Sequence, residues 1–314
     1  MVTGNEYAFD ALLPPAMAEK AAQIGEKKAN ANPTITFGLA VLAGAFIALG
    51  AIFATTVVAG AGTALPYGVT RLLAGLVFSL GLILVVVGGA ELFTGNTLIV
   101  MAWASWKVSL GQLLRNWLIV YTGNFVGALA TAGLVFLSAQ YTFGHGAIGL
   151  AALQTANAKV GLGFVQAIAL GILCNGLVCL AVWLSYSARS TTDRILAIVP
   201  PISAFVAAGF EHSIANMYFI PIGLLIKQFA PVAFWSTIGQ TAADYPQLTW
   251  TAFLANNLLP VTIGNIIGGA LLVGAVYWFL YLRPTLVPPA VPLEGLFDEP
   301  DTTPTALASG MTQR

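Results

Sequence analysis

Six long stretches of the chain are almost free of charge. Apolar runs occupy roughly 35–60, 72–106, 116–142, 160–188, 195–226 and 252–282, with Glu91 and Glu211 as their only acids. A membrane-crossing helix needs about 20 such residues, so each run predicts one span. The second and fifth runs are too long for one straight helix. Each holds its acid near the middle, within GGAELFTGNT and AAGFEHSIAN. The small and polar residues at those centres predict that helices 2 and 5 break at mid-membrane. Irregular backbone is tolerated there only where protein or a water-filled cavity satisfies it. Ahead of the first run, Phe9, Leu12, Leu13, Met17, Ala21 and Ile24 recur at helical spacing, with Pro14 and Pro15 near the helix start and Gly25 as its stop. This amphipathic segment, 1–34, reads as a helix lying on the membrane surface or, more sharply, as a mobile plug for a pore mouth.

The runs also repeat. Gly89-Ala-Glu91-x4-Asn96 recurs as Gly209-Phe-Glu211-x4-Asn216, and GNFVGA at 123–128 as GNIIGG at 264–269. A weaker match relates Phe37-x2-Ala40-x3-Gly44 to Phe164-x2-Ala167-x3-Gly171. Segments 1-2-3 thus map onto 4-5-6, as repeat 1 over about 35–142 and repeat 2 over about 160–283. With three spans per repeat, the second copy is inserted upside down. Paired broken helices in inverted repeats place a transport site at the midplane. The Gly123/Gly127 and Gly264/Gly268 spacings allow close helix approach, with Asn124 and Asn265 as interhelical hydrogen-bond partners.

Composition agrees with this reading. Of 314 residues, 58% are hydrophobic and 8% charged, with a mean hydropathy of +0.86; soluble domains carry about 25% charge. This predicts an all-α integral membrane protein whose first partner is the lipid bilayer. A net charge of zero leaves no basic face for nucleic acid. Cys174 and Cys179 match no metal or redox spacing and read as packing residues. The N-terminus has no apolar core suited to a cleaved signal. With that terminus in the cytoplasm, nine Lys and Arg lie inside against Arg71, Lys159 and Lys227 outside. Both termini are then cytoplasmic. The proline-rich, acidic stretch 284–314 reads as a disordered tail.

Of the acidic, basic and histidine side chains, three fall within the apolar runs: Glu91, Glu211 and His212. Such residues mark functional positions. Each glutamate sits where a broken helix frees backbone N–H groups and exposes a positive dipole end, which suits a structural role. His212 suits a direct part in permeation. No carbonyl-rich filter or acidic cluster favours a cation, and no positive ring favours a permanent anion. A small weak acid has another route. Protonating an acid of pKa near 4 at pH 7 costs about 4 kcal/mol, and a midplane histidine of pKa about 6.5 can lend the proton and recover it. An enzyme reading finds no support, since GFEHS is not HExxH and no second intramembrane histidine completes a metal site. No cofactor is called for. A neutral-solute channel for water or glycerol would have no use for His212.

GGAELFTGNTLIV, GNFVGAL, CNGLVCLAVWLSYS, AAGFEHSIANMYFIPIGLL and LLPVTIGNIIGGALLVGAVYW together resemble the formate/nitrite transporter family over residues 8 to 283. FDALLPPAMAEKAAQIGEKKA and FAPVAFWSTIGQ are most similar to its formate channels. The resemblance implies a homopentamer in a bacterial inner membrane, its aquaporin-like protomers each with a pore for formate and protons. It implies that Leu92, Phe93 and Thr94 lie on the loop breaking segment 2, beside His212 on the break of segment 5. Phe78, Leu82, Leu92 and Phe205 would line two apolar constrictions, Phe93 lying beside them. Asn175 and Val178 would approach the central chamber, and Thr94 and Asn175 would hold the solute and poise His212. The N-terminal segment would gate the cytoplasmic side. Lys159 falls where an external anion-attracting lysine would sit, or is an ordinary solvated loop lysine. Nitrite, hydrosulfide, acetate and lactate remain alternative solutes.

Overall fold

The computed structural model describes residues 11–62 and 64–283; the expectations for Phe9 and for the tail over 284–314 fall outside them. The described residues form helices joined by short loops. α1 (Pro14–Ala29) begins on a proline and carries Lys27 and Lys28 in its last turn, complementing its dipole. Gly25 does not stop it. A methyl there would lie 3.0 Å from Ala102 Cβ and 3.3 Å from Ile99 Cα, so Gly25 serves close packing and the helix runs on. Met17, Ala18, Ala21 and Ala22 are buried with it, so α1 is packed on protein along this face.

α2 (Pro33–Val58) packs against α3 (Tyr67–Gly88) and α5 (Leu110–Leu137). Between α3 and α5 runs a shorter apolar helix, α4 (Phe93–Ala104). The same relations recur downstream. α7 (Phe164–Ser187) packs against α8 (Thr191–Ala207) and against α11 (Ala252–Tyr281), a continuous helix with π-helical stretches at Ala252–Leu258 and Ile267–Ala275. α9 (Ser213–Phe229) follows α8 as α4 follows α3, and α10 (Val232–Ile238) follows after a 112° bend. α6 (Ala147–Val160) lies in what the sequence reading left as a loop. It packs on α9 as α1 packs on α4, so each half opens with a helix that the repeat over 35–142 and 160–283 did not include.

Among the described residues, five helices, α2, α3, α5, α7 and α11, are long and apolar enough to cross a membrane; there are six if α9 and α10 count as one bent span. Ser109 and Ser190 close capping boxes at the starts of α5 and α8. The two halves meet where α3 packs on α8. They also meet where Tyr121 of α5 hydrogen-bonds Thr262 of α11 at 2.8 Å, side chains at matching positions of the two copies.

Candidate functional site

Both interruptions are built alike. Gly89 (φ 81°) and Gly209 (φ 77°) take the left-handed conformation that ends a helix. Ala90 N and Phe210 N donate back to Val85 O and Phe205 O at 2.9 and 3.0 Å. Extended backbone then leads to Leu92 (φ −111°, ψ 125°) and His212 (φ −112°, ψ 114°), each the residue before the next helix. Equivalent backbone thus presents a leucine in one half and a histidine in the other.

The freed N–H groups of Phe93 and Ser213 donate to Asn124 Oδ1 and Asn265 Oδ1, both at 2.9 Å. Each asparagine also donates Nδ2 to two carbonyls: Ala40 (2.7 Å) and Glu91 (2.9 Å), or Gly171 (2.8 Å) and Glu211 (2.9 Å). The asparagines, not the glutamates, therefore satisfy the broken backbone. They suit this because one carboxamide both accepts and donates, whereas a carboxylate only accepts. The glutamates bind cations and amides instead. Glu91 accepts from Lys28 at 3.1 Å and Asn96 at 2.7 Å; Glu211 accepts from Lys159 and Asn216, both at 2.7 Å. Asn116 and Asn257 complete the rings. They accept from Asn96 (2.9 Å) and Asn216 (2.7 Å) and donate to Lys28 O (3.1 Å) and Lys159 O (2.9 Å). Lys159 is not a solvated loop lysine: it sits in the last turn of α6 with its side chain 15% exposed.

The halves differ at the centre. His212 Nδ1 accepts from Ala215 N at 3.1 Å, capping α9. That acceptor role leaves the neutral ring's proton on Nε2, which faces Thr94 Oγ1 at 3.1 Å. His212 is 3% exposed and Thr94 is fully buried. Thr94 O receives Thr97 Oγ1 (2.6 Å) and Asn175 Nδ2 (3.2 Å). Asn175 Nδ2 also reaches Asn265 O at 2.6 Å. Its donors are thus spent on these carbonyls and, at 3.3 Å, on Thr97 Oγ1, and it positions Thr94.

Two cavities flank this centre. One, of about 220 Å³, is lined by Leu82, Leu92, Glu91, Lys28 and Ile24. The other, of about 450 Å³, is lined by Phe78, Phe205, His212, Glu211 and Lys159. Phe78 and Leu82, one turn apart on α3, face opposite cavities. Phe93 lines neither. Its ring packs on Tyr121 (4.9 Å between centroids) and Trp117 (6.0 Å), because the helix start turns it toward α5. Val178 is buried and also lines neither cavity.

Sequence reasoning missed several residues. Asn116 and Asn257 were legible, since Asn116-x7-Asn124 recurs as Asn257-x7-Asn265. Arg71 lines the larger cavity, its guanidinium donating to the Val206 and Ala207 carbonyls at the end of α8. Nothing in its local sequence distinguishes it from an ordinary flanking arginine.

A multi-pass helical membrane protein with a buried polar centre between two cavities is the class that this fold and site define. The formate/nitrite transporter profile matches residues 15–279. Formate channel FocA of Escherichia coli K12 is 52% identical over 275 residues, covering 88% of this chain and 96% of that protein. Formate channel FocA of Haemophilus influenzae is 44% identical over 271 residues, covering 86% and 95%. A solved structure described as a pentameric formate channel with formate bound superposes with a TM-score of 0.76 at 47% identity, over 80% of this chain and 98% of that one. A second, an FNT family ion channel, gives 0.70 at 30% identity over 85% and 98%. The chain belongs to the formate/nitrite transporter family.

Proposed function

We propose that this protein is a formate channel of a bacterial inner membrane, a homopentamer with one pore in each protomer. The channels among its relatives and the formate-bound pentamer support the solute and the assembly. The protomer is read as six spans in two inverted repeats, the second and fifth broken at mid-membrane; the twice-built asparagine–glutamate–lysine network supports that reading. Leu82 and Leu92 form the cytoplasmic constriction, Phe78 and Phe205 the outer one, with both termini inside. α1 gates the cytoplasmic mouth in response to pH, as its Lys28–Glu91 contact at that cavity suggests.

One observation carries the reading: the imidazole of His212, 3.1 Å from Thr94 Oγ1, lines the larger cavity together with Phe78 and Phe205. The anion meets the Nε2–H of His212 beside Thr94. A proton loaded on Nδ1 displaces the Ala215 N–H, giving up a cap worth about 1 kcal/mol. The ring then passes its Nε2 proton to the anion, and the neutral acid crosses the apolar collar. The ring, left with the proton that Nδ1 took from water, returns to the Nε2–H tautomer by proton exchange with water, so one proton travels with each formate.

His212→Asn is the informative variant, because asparagine keeps an N-cap acceptor but cannot take a proton. In proteoliposomes the wild-type protein is expected to pass formate with internal acidification, and His212→Asn to lose the acidification. Equal acidification in both would refute the relay. Absence of formate flux in the wild-type protein would refute the channel.

A further inference from the structure

Ala215, Asn216 and Phe219 of α9, with His212 as its N-cap, all line the larger cavity. The spacing of Ala215, Asn216 and Phe219 places them on one helix face, and Phe219 lies about 6 Å along the axis from Ala215, whose N–H His212 caps. The Phe219 ring stacks on Phe78 with centroids 6.4 Å apart and planes at 16°. Phe78 in turn meets Phe205 edge-on at 5.7 Å, and Phe205 stacks on the His212 ring at 5.9 Å. The Lys159 ammonium sits over the Phe219 ring, 5.5 Å from its centroid, while paired with Glu211. Phe219 thus meets both an aromatic ring, Phe78, and a cation, Lys159, that is itself fixed in the polar network.

We propose that Phe219 is a third ring of the constriction on the Lys159 side and sets the size of acid that the pore admits. The geometry explains how. A ring in contact with both Phe78 and Lys159 cannot swing aside without giving up the stacking contact and the ammonium together. It therefore acts as a fixed wall, whereas a flexible side chain would yield to a larger solute. A one-carbon acid passes such a wall, and a two- or three-carbon acid meets it. The proposal rests on the weak-acid channel reading and assigns a residue to its selectivity.

The test compares formate, acetate and lactate uptake at equal gradients in proteoliposomes bearing wild-type protein, Phe219→Ala or Phe219→Trp. Removing the ring is expected to raise the lactate-to-formate ratio about tenfold, the scale of a missing or added carbon group in an apolar pocket. Phe219→Trp should lower the acetate-to-formate ratio. If the alanine variant fails to assemble, Phe219→Leu keeps apolar bulk without the ring face and should raise the lactate ratio to a lesser degree. Ratios unshifted in all variants, or all three acids rising and falling together, overturn the proposal. A wild-type protein that passes no formate overturns the channel reading as well, so the two failures are distinct.

Discussion

Because the Lys–Glu–Asn network is built twice in one chain at two depths, its electrostatics can be compared within a single molecule. Consider Glu211→Gln beside Glu91→Gln. Glu211 and Lys159 have side chains 6% and 15% exposed, with the ammonium 2.7 Å from the carboxylate. Removing one member of a buried pair costs about 3–5 kcal/mol, because the remaining charge is left uncompensated. The amide adds a second fault. Both Lys159 and Asn216 donate to this side chain, so a glutamine must turn its own NH2 toward one of them. Lys159 keeps the face of Phe219 and an edge of the cavity, which places the loss near the lower limit, about 3 kcal/mol. At the other site Glu91 and Lys28 are 15% and 29% exposed and 3.1 Å apart. Water screens that pair, and the expected loss falls to about 1–2 kcal/mol, between buried and surface pairs. Equilibrium unfolding in mixed micelles, followed by the fluorescence of the seven tryptophans, measures both. Equal losses, or a larger one for Glu91→Gln, would refute the argument that burial decides the strength of each copy.

Two further outcomes follow from the helix contacts and caps. A methyl at Gly268 would fall on the Ile172 carbonyl, whereas one at Gly176 meets nothing within 4 Å. Gly268→Ala should therefore cost about 1–3 kcal/mol in the same assay, while Gly176→Ala should be neutral or slightly stabilising; comparable losses would show that α7 and α11 are not locked at this contact. The Ser190 backbone N–H, the Ser190 hydroxyl and the Arg189 N–H hold the Asp193 carboxyl below its ordinary range at the start of α8. Its folded value is depressed, so its contribution to stability is complete above the ordinary carboxylate value, about 3.9, and is lost as pH falls through the lower folded value. Carbon-13 NMR of the labelled carboxylate should show no titration between pH 7 and about 4.5, and an inflection in that interval would contradict the capping geometry.

The apolar runs, and the helix ends at Gly89 and Gly209, were legible because the signals are local: long uncharged stretches, and a glycine two residues before each acid. The duplication was legible from motif spacing. α6 was not, because its sequence AIGLAALQTANAKV is too short to span and lies between two stronger apolar runs. Lys159 then looked like a loop residue, since its partner Glu211 lies 52 positions away. The glutamates were assigned to the freed backbone for a sound electrostatic reason. They were displaced because asparagines on α5 and α11 reach it with both an acceptor and a donor. Phe219 was hidden for the opposite reason: within MYFIPIGLL one more apolar residue carries no signal until the fold places Phe78 against it.

The equivalence of Leu92 and His212 bears on how freely this protein can change its chemistry. The same turn, with nearly the same dihedral angles, folds around an aliphatic side chain in one half and an imidazole in the other. The architecture therefore does not depend on the histidine, beyond the cap it adds to α9. Variation at this position leaves the turn intact, so under the channel reading proposed above it would retune the chemistry met by the solute without rebuilding the scaffold.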